Sequence, residues 1–221
     1  MKILFSSILI LYSFSYTTSV FAKCNAVANL IEINGRNIIV DNNIPVGTLL
    51  GNFTSDSYQT YSCDNKTANN MISGGKAYGE FATRINNIRV YKTNIAGIGY
   101  SVGFQSMCNK AMLYPSTGWR GNIDSFAVCK RYGGIWNKVS HKFNIRIYKI
   151  GPTGNGTFKR KQIGATIFVY NDYKVWAKEN PIFLKDFKIT TIDNNNINNN
   201  NNNNDNKNHH IWPSNDMSNN N

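Results

Sequence analysis

The chain has 221 residues, with 24 Lys and Arg against 12 Asp and Glu, and a formal net charge of +12. Its one long apolar run, Ile3 to Tyr12, falls well short of the roughly 20 residues a membrane-spanning helix needs, and no later segment comes closer. A basic surface suits acidic partners such as sialylated or sulfated glycans, but Lys and Arg form no long block, so they read as a solubilising surface and nucleic acid is not among the expected partners.

In chain order, Lys2 precedes the apolar run, a polar patch follows, and Val20-Phe21-Ala22 offers a cleavage site. Residues 1–22 therefore read as a secretory signal removed after Ala22. Residues 23–192 have the length of one domain. Helical periodicity is nearly absent there, and short apolar runs alternate with Gly, Asn, Asp and Ser clusters. Strands are expected at Asn37–Val40, Val46–Phe53, Tyr58–Cys63, Ile85–Lys92, Gly97–Gln105, His141–Ile150, Ile163–Tyr170 and Ile182–Ile192. Two of them alternate well. Tyr100, Val102 and Phe104 fall on one side of a strand whose glycines suggest a bend or a close neighbouring layer. Phe143, Ile145 and Ile147 are read as inward, and Lys142, Asn144 and Arg146 as outward. Gly151 to Gly156 is a turn-rich break. The pattern is all-β and predicts an antiparallel β-sandwich. Residues 193–221 read as a disordered tail, because its asparagine tract has too little apolar surface to offset the entropy of ordering. Asn-x-Thr sequons stand at Asn52, Asn65 and Asn155.

The four cysteines are Cys24, Cys63, Cys108 and Cys129, an even number in a chain read as exported. Three pairings are open. The sequential one, Cys24–Cys63 and Cys108–Cys129, is the most local and is the one expected, and each bridge would contribute about 3–4 kcal/mol in a chain-entropy account. There is no Cys-x-x-Cys, so a zinc site is not expected. There is also no Gly-x-Ser-x-Gly, His-Glu-x-x-His or phosphate-binding loop. His141 is the one histidine of the putative domain, and the carboxylates are scattered. No catalysis, cofactor or metal is expected.

The segment between Cys108 and Cys129 carries Tyr114, Trp119, Arg120, Asn122 and Asp124. A disulfide at its base would brace it. An aromatic platform beside Asn, Asp and Arg groups suits a sugar, whose hydroxyls ring an apolar face. Trp136, after Gly133-Gly134, could join them.

Three pieces in order resemble the receptor-binding domain of two-domain tip adhesins of bacterial chaperone–usher fimbriae, such as the mannose-binding adhesin of type 1 fimbriae. The first is Cys24 with the stretch from Val46-Gly-Thr to Tyr61-Ser-Cys63. The second is Thr93-Asn-Ile-Ala-Gly-Ile-Gly-Tyr-Ser-Val102. The third is Ile145-Arg-Ile-Tyr-Lys-Ile-Gly151 with the later Gly164-Ala-Thr-Ile. The likeness spans residues 23–192. It implies an immunoglobulin-like or jelly-roll sandwich exported through the periplasm, with a periplasmic chaperone, an outer-membrane usher and other fimbrial subunits as partners. It also implies display at the fimbrial tip or cell surface and binding of a host glycan or glycoprotein receptor; the alternative is a minor structural subunit without a receptor. In mannose-binding relatives a free N-terminus helps to build the pocket, which points by position to Lys23. Shaft subunits carry a donor strand before their first cysteine, where this chain has only Lys23, so the resemblance places it at the tip. Where the family has a second, pilin-like domain, this sequence runs into the asparagine tract, which is read either as a truncated or frameshifted chain or as an adhesin domain that stands alone.

Overall fold

The computed structural model describes residues 22–64 and 70–193. The signal apart from Ala22, the sequon at Asn65 and the tail beyond Asp193 lie outside the described residues. All regular structure is β. The first sheet has seven strands: β1 (Cys24–Ala26), β4 (Leu49–Cys63), β11 (Val139–Lys149), β8 (Ile98–Ser106), β7 (Ile88–Lys92) and β6 (Phe81–Ile85) in that spatial order, with β9 (Asn109–Leu113) also on β8. The second has six: β10 (Ser125–Arg131), β5 (Met71–Ala77), β13 (Lys161–Tyr170), β15 (Asn180–Leu184) and β2 (Ile31–Ile33), with β14 (Val175–Trp176) on β13. A small third sheet sets β16 (Phe187–Ile192) between β12 (Gly156–Phe158) and β3 (Ile38–Asp41).

The two large sheets face each other. Phe104 on β8 packs edge-on against Phe126 on β10 at 5.2 Å, and Tyr61 on β4 stacks on Phe168 of β13 at 5.0 Å. Aromatic pairs of these geometries favour one packing over its alternatives. Tyr100, Val102, Phe104, Phe143, Ile145 and Ile147 are fully buried in this core, on the side that alternation assigned them. Pairing is antiparallel throughout except where β15 meets β2 and β16 meets β3, which run parallel. The sandwich is therefore mixed at its margins: the early strands β2 and β3 return to the sheets as edges beside the last two strands.

The expected strands Val46–Phe53 and Tyr58–Cys63 are one long β4, whose partner β11 shifts register three times along it. Each shift is a bulge that lets one strand bend without ending. The expected strand Ile182–Ile192 is two, β15 and β16, broken at Lys185-Asp186 as the chain leaves the second sheet for the third. Cys24 pairs with Cys63, its register partner on β4, and Cys108 pairs with Cys129. The second bridge joins the turn between β8 and β9 to β10, and so ties one large sheet to the other.

Candidate functional site

The loop between β9 and β10 crosses three environments. Tyr114 lies on the outer face of the first sheet, over Gly103, where an added Cβ would stand 2.6 Å from its ring. Its hydroxyl donates to Asn144 Oδ1, and the Arg146 guanidinium sits 4.3 Å above its ring. Asn144 in turn donates to Asn52 Oδ1 and Thr54 Oγ1. Burial pushes the Tyr114 phenol up to about 12. Tyr114 thus caps a polar network rather than facing a ligand, and this cap explains why Asn144 is buried although it points outward.

At its far end the loop is held by charge. Asp124 Oδ1 accepts Arg89 Nε at 3.0 Å and the Tyr91 hydroxyl at 2.7 Å. Arg89 is only 7% exposed and lies 4.2 Å over the Phe81 ring. Burial first, and then its hydrogen bond to Asp124, hold the Tyr91 phenol well above its ordinary range. The Asp124 carboxylate therefore neutralises a buried guanidinium.

Between these anchors Trp119, Arg120, Gly121 and Asn122 form a tight turn. Trp119 and Asn122 exchange both backbone hydrogen bonds, and the central pair has φ of 50° and 76°. Two left-handed residues in the middle define a type I′ turn, which glycine accepts freely and arginine does not. The Asn122 side-chain oxygen accepts the Asp124 N–H. Residues 117–123 line a hollow of about 240 Å³.

The turn leans against a second strained segment. Asn171, Asp172 and Tyr173, between β13 and β14, have φ of 51°, 57° and 63°. Three consecutive left-handed residues are rare, and a bulky tyrosine is the least suited of them. Arg120 bonds the Tyr173 carbonyl at 3.2 Å. Its guanidinium stands 5.2 Å from the Trp119 ring, 5.6 Å from Tyr173 and 5.8 Å from Trp176. Trp119 and Trp176 meet at 5.8 Å with their planes 42° apart, and Trp176 is 51% exposed.

Register explains how the cluster assembles. Trp176 pairs with Val169, Val169 with Ile72, and Ile72 with Lys130. Directly paired residues share a face. Phe168, next to Val169, points into the core, so this row points outward. Lys130 Nζ accordingly reaches the Tyr173 ring at 5.8 Å and that of the exposed Tyr132 at 5.6 Å.

Of the residues read from sequence, the structure brings together Trp119, Arg120 and Asn122. Lys23 and Trp136 lie toward the same end of the sandwich without entering the cluster. Asn171 donates to the carbonyl of Ala22, the Lys23 backbone N–H bonds Asp64 Oδ1, and Trp136 packs against the core around Ala22 and Cys24. Tyr114 and Asp124 are separated from the cluster by the work just described. Sequence reading missed Tyr173, Trp176, Lys130 and Tyr132. The Asn171-Asp172 pair was a legible turn signal, but the two-residue strand behind it is too short to show alternation.

His141 lies elsewhere, sealed between the large sheets. Its Nδ1 is 2.6 Å from Thr60 Oγ1 and its Nε2 2.6 Å from Ser73 Oγ. Thr60 donates its proton to the Val139 carbonyl, so it accepts from Nδ1–H, and Ser73 donates to Nε2. Burial pushes the imidazole down to about 3. A second hollow, of about 260 Å³ between β2 and β4, contains Glu32. Hydrogen bonds first from Arg160 and then from Lys185 hold that carboxyl below its usual range, so its charge is already engaged.

Among solved structures the chain is similar to the ambient temperature fimbriae adhesin AtfE of Proteus mirabilis, with 17% identity and a TM-score of 0.54. The match covers 75% of this chain and 100% of that one. The domain has the fold of a fimbrial adhesin. Lesser likenesses are to the receptor binding domain of the plasmid-borne adhesin MrkD1P of Klebsiella pneumoniae and to the CupB6 tip adhesin of Pseudomonas aeruginosa. The former has 18% identity and a TM-score of 0.47, over 77% of this chain and 96% of that one. The latter has 13% identity and a TM-score of 0.41, over 77% and 44%. No protein-family model matches the chain, and no curated protein matches it.

Proposed function

We propose that this domain is a fimbrial adhesin that attaches its cell to a host surface by binding a receptor glycan, without catalysing a reaction. The observation that carries the reading is the Trp119–Arg120–Tyr173–Trp176 cluster on the outer face of the sandwich. Among the described residues, four of the seven non-glycine residues with positive φ belong to its two turns. Backbone strain of this kind persists only where the surrounding structure holds it, and it gathers at binding sites. Partly exposed indole rings beside an arginine offer a sugar an apolar face to stack on and donors for its oxygens. The adhesin fold supports the same reading. With it come export through the periplasm, a chaperone and usher during assembly, and display on a fimbria among other subunits.

A glycan array probed with folded, oxidised protein tests the proposal. Binding by the wild type, with loss in Trp176→Ala at an unchanged melting temperature, is the expected result. A blank array from protein shown to be folded would refute a glycan receptor.

A further inference from the structure

The cluster also carries a sign of charge. The cations that reach the rings of the cluster are Arg120 and Lys130, and Asp172 is the carboxylate of its second turn. Asp172 Oδ1 is bonded by the Asn70 amide at 2.6 Å. Arg120 and Lys130 take part in no ion pair among the described residues, yet both are held over one ring, 5.6 and 5.8 Å from the centre of Tyr173. Both side chains are exposed, so an anion placed beside that ring would meet positive charge with no carboxylate of an ion pair to displace.

The Arg120 fork is already oriented. Its backbone is fixed in the type I′ turn, one guanidinium nitrogen bonds the Tyr173 carbonyl, and three aromatic rings surround it. The guanidinium has five donors, so most remain for a ligand. A carboxylate or sulfate matches that planar fork in a way a neutral hydroxyl does not.

We infer that this cluster takes an acidic sugar, with its carboxylate or sulfate on Arg120 and Lys130 and its ring against Trp176. The inference rests on the reading of the domain as a glycan-binding adhesin and adds the ligand's charge. Uronate, sialylated and sulfated glycans share the required chemistry. A nucleic acid is disfavoured, because two cations beside a shallow aromatic wedge give no groove to track a phosphate backbone.

The test is titration calorimetry on the folded, oxidised chain with four probes: a sulfated uronate tetrasaccharide, its desulfated counterpart, sialyllactose and lactose. At least one acidic probe binds, about tenfold or more tighter than neutral lactose. Its affinity falls as salt is raised from about 0.05 to about 0.5 M, as screening requires. Arg120→Gln and Arg120→Lys both lose at least about tenfold for that probe, while their melting temperatures stay within those of the wild type. Which probe binds separates the sulfated source from the sialylated one.

Acidic probes that all bind no tighter than neutral lactose overturn the acidic ligand and leave the adhesin reading standing. Binding of an acidic probe undiminished in Arg120→Gln and Trp176→Ala overturns this site. An oligonucleotide of equal charge that binds as tightly through Arg120 overturns the sugar. Failure of every probe, together with a blank glycan array, refutes both readings at once.

Discussion

Arg120 and Tyr173 occupy left-handed backbone that a glycine or asparagine would hold at lower energy. Each residue gives up stability in its turn and gains a position over the other. Tyr173→Asn separates the two effects. Asparagine tolerates the same φ, so stability should change by about 1 kcal/mol or less, while ligand affinity drops because one wall of the cluster is gone. Denaturant unfolding and calorimetry on the same preparation check both halves. Asp124 behaves in the opposite way. Asp124→Ala leaves the Arg89 guanidinium buried against Phe81 and Tyr91 with its ionic partner removed. A fully buried pair broken in this way costs about 3–5 kcal/mol, and partial exposure of Asp124 lowers the expected loss to about 2–3 kcal/mol. The shift should appear in the urea midpoint. Aromatic and polar residues between two cysteines thus announced a loop worth inspecting. They did not reveal which of its residues face solvent and which serve the fold, because that depends on partners as distant in sequence as Arg89 and Trp176.

The strand β8 shows the same division. Its alternation set Tyr100, Val102 and Phe104 on the core side, where they lie. Its other face is also covered, since Tyr114 and Met112 fold back over Gly103. Gly103→Ala places a Cβ 2.6 Å from the Tyr114 ring and 3.0 Å from Met112, so Tyr114 must lift off Asn144 and from beneath Arg146. The expected cost is about 1–3 kcal/mol, read as a lowered unfolding midpoint, with Tyr114 more exposed to quenchers. The strands that were legible, β8, β11 and β13, are long and central, and their period of two runs for several residues. Of those that were missed, β1, β2, β12 and β14 have two or three residues, and their partners rather than their composition make them strands; β5 and β10, of seven residues each, are buried on both faces over much of their length and so show no alternation.

The sheets are joined by a polar device as well as by the core. His141 on β11 bonds Thr60 on β4 and Ser73 on β5, and so links the first large sheet to the second. Its folded pKa, about 3, lies below the unfolded value of 6.5. Between those values the unfolded chain takes up a proton that the folded chain refuses. The stability this group contributes is therefore complete above pH 6.5 and is lost as pH falls toward 3, by about 3–5 kcal/mol in all. Urea midpoints measured from pH 7 to pH 4 should fall accordingly, and His141→Gln should flatten that slope. The Cys108–Cys129 bridge is the covalent counterpart. Replacing both cysteines with serine should remove about 3 kcal/mol and loosen the loop that carries Trp119 and Arg120, weakening ligand binding as well as stability.

The sequence by itself determined the all-β class, the inward faces of the central strands and a loop rich in sugar-binding residue types. It did so because period-two alternation and local turn chemistry are properties of neighbours along the chain. The sequential cysteine pairing was expected from locality and is the one observed; only the tertiary structure placed the Cys108–Cys129 bridge across the two large sheets. It also divided Tyr114 and Asp124 from Trp119 and Arg120, and set Lys130, Tyr173 and Trp176 beside them. These depend on strand register, which fixes how residues far apart in sequence meet across a sheet and on which face they stand.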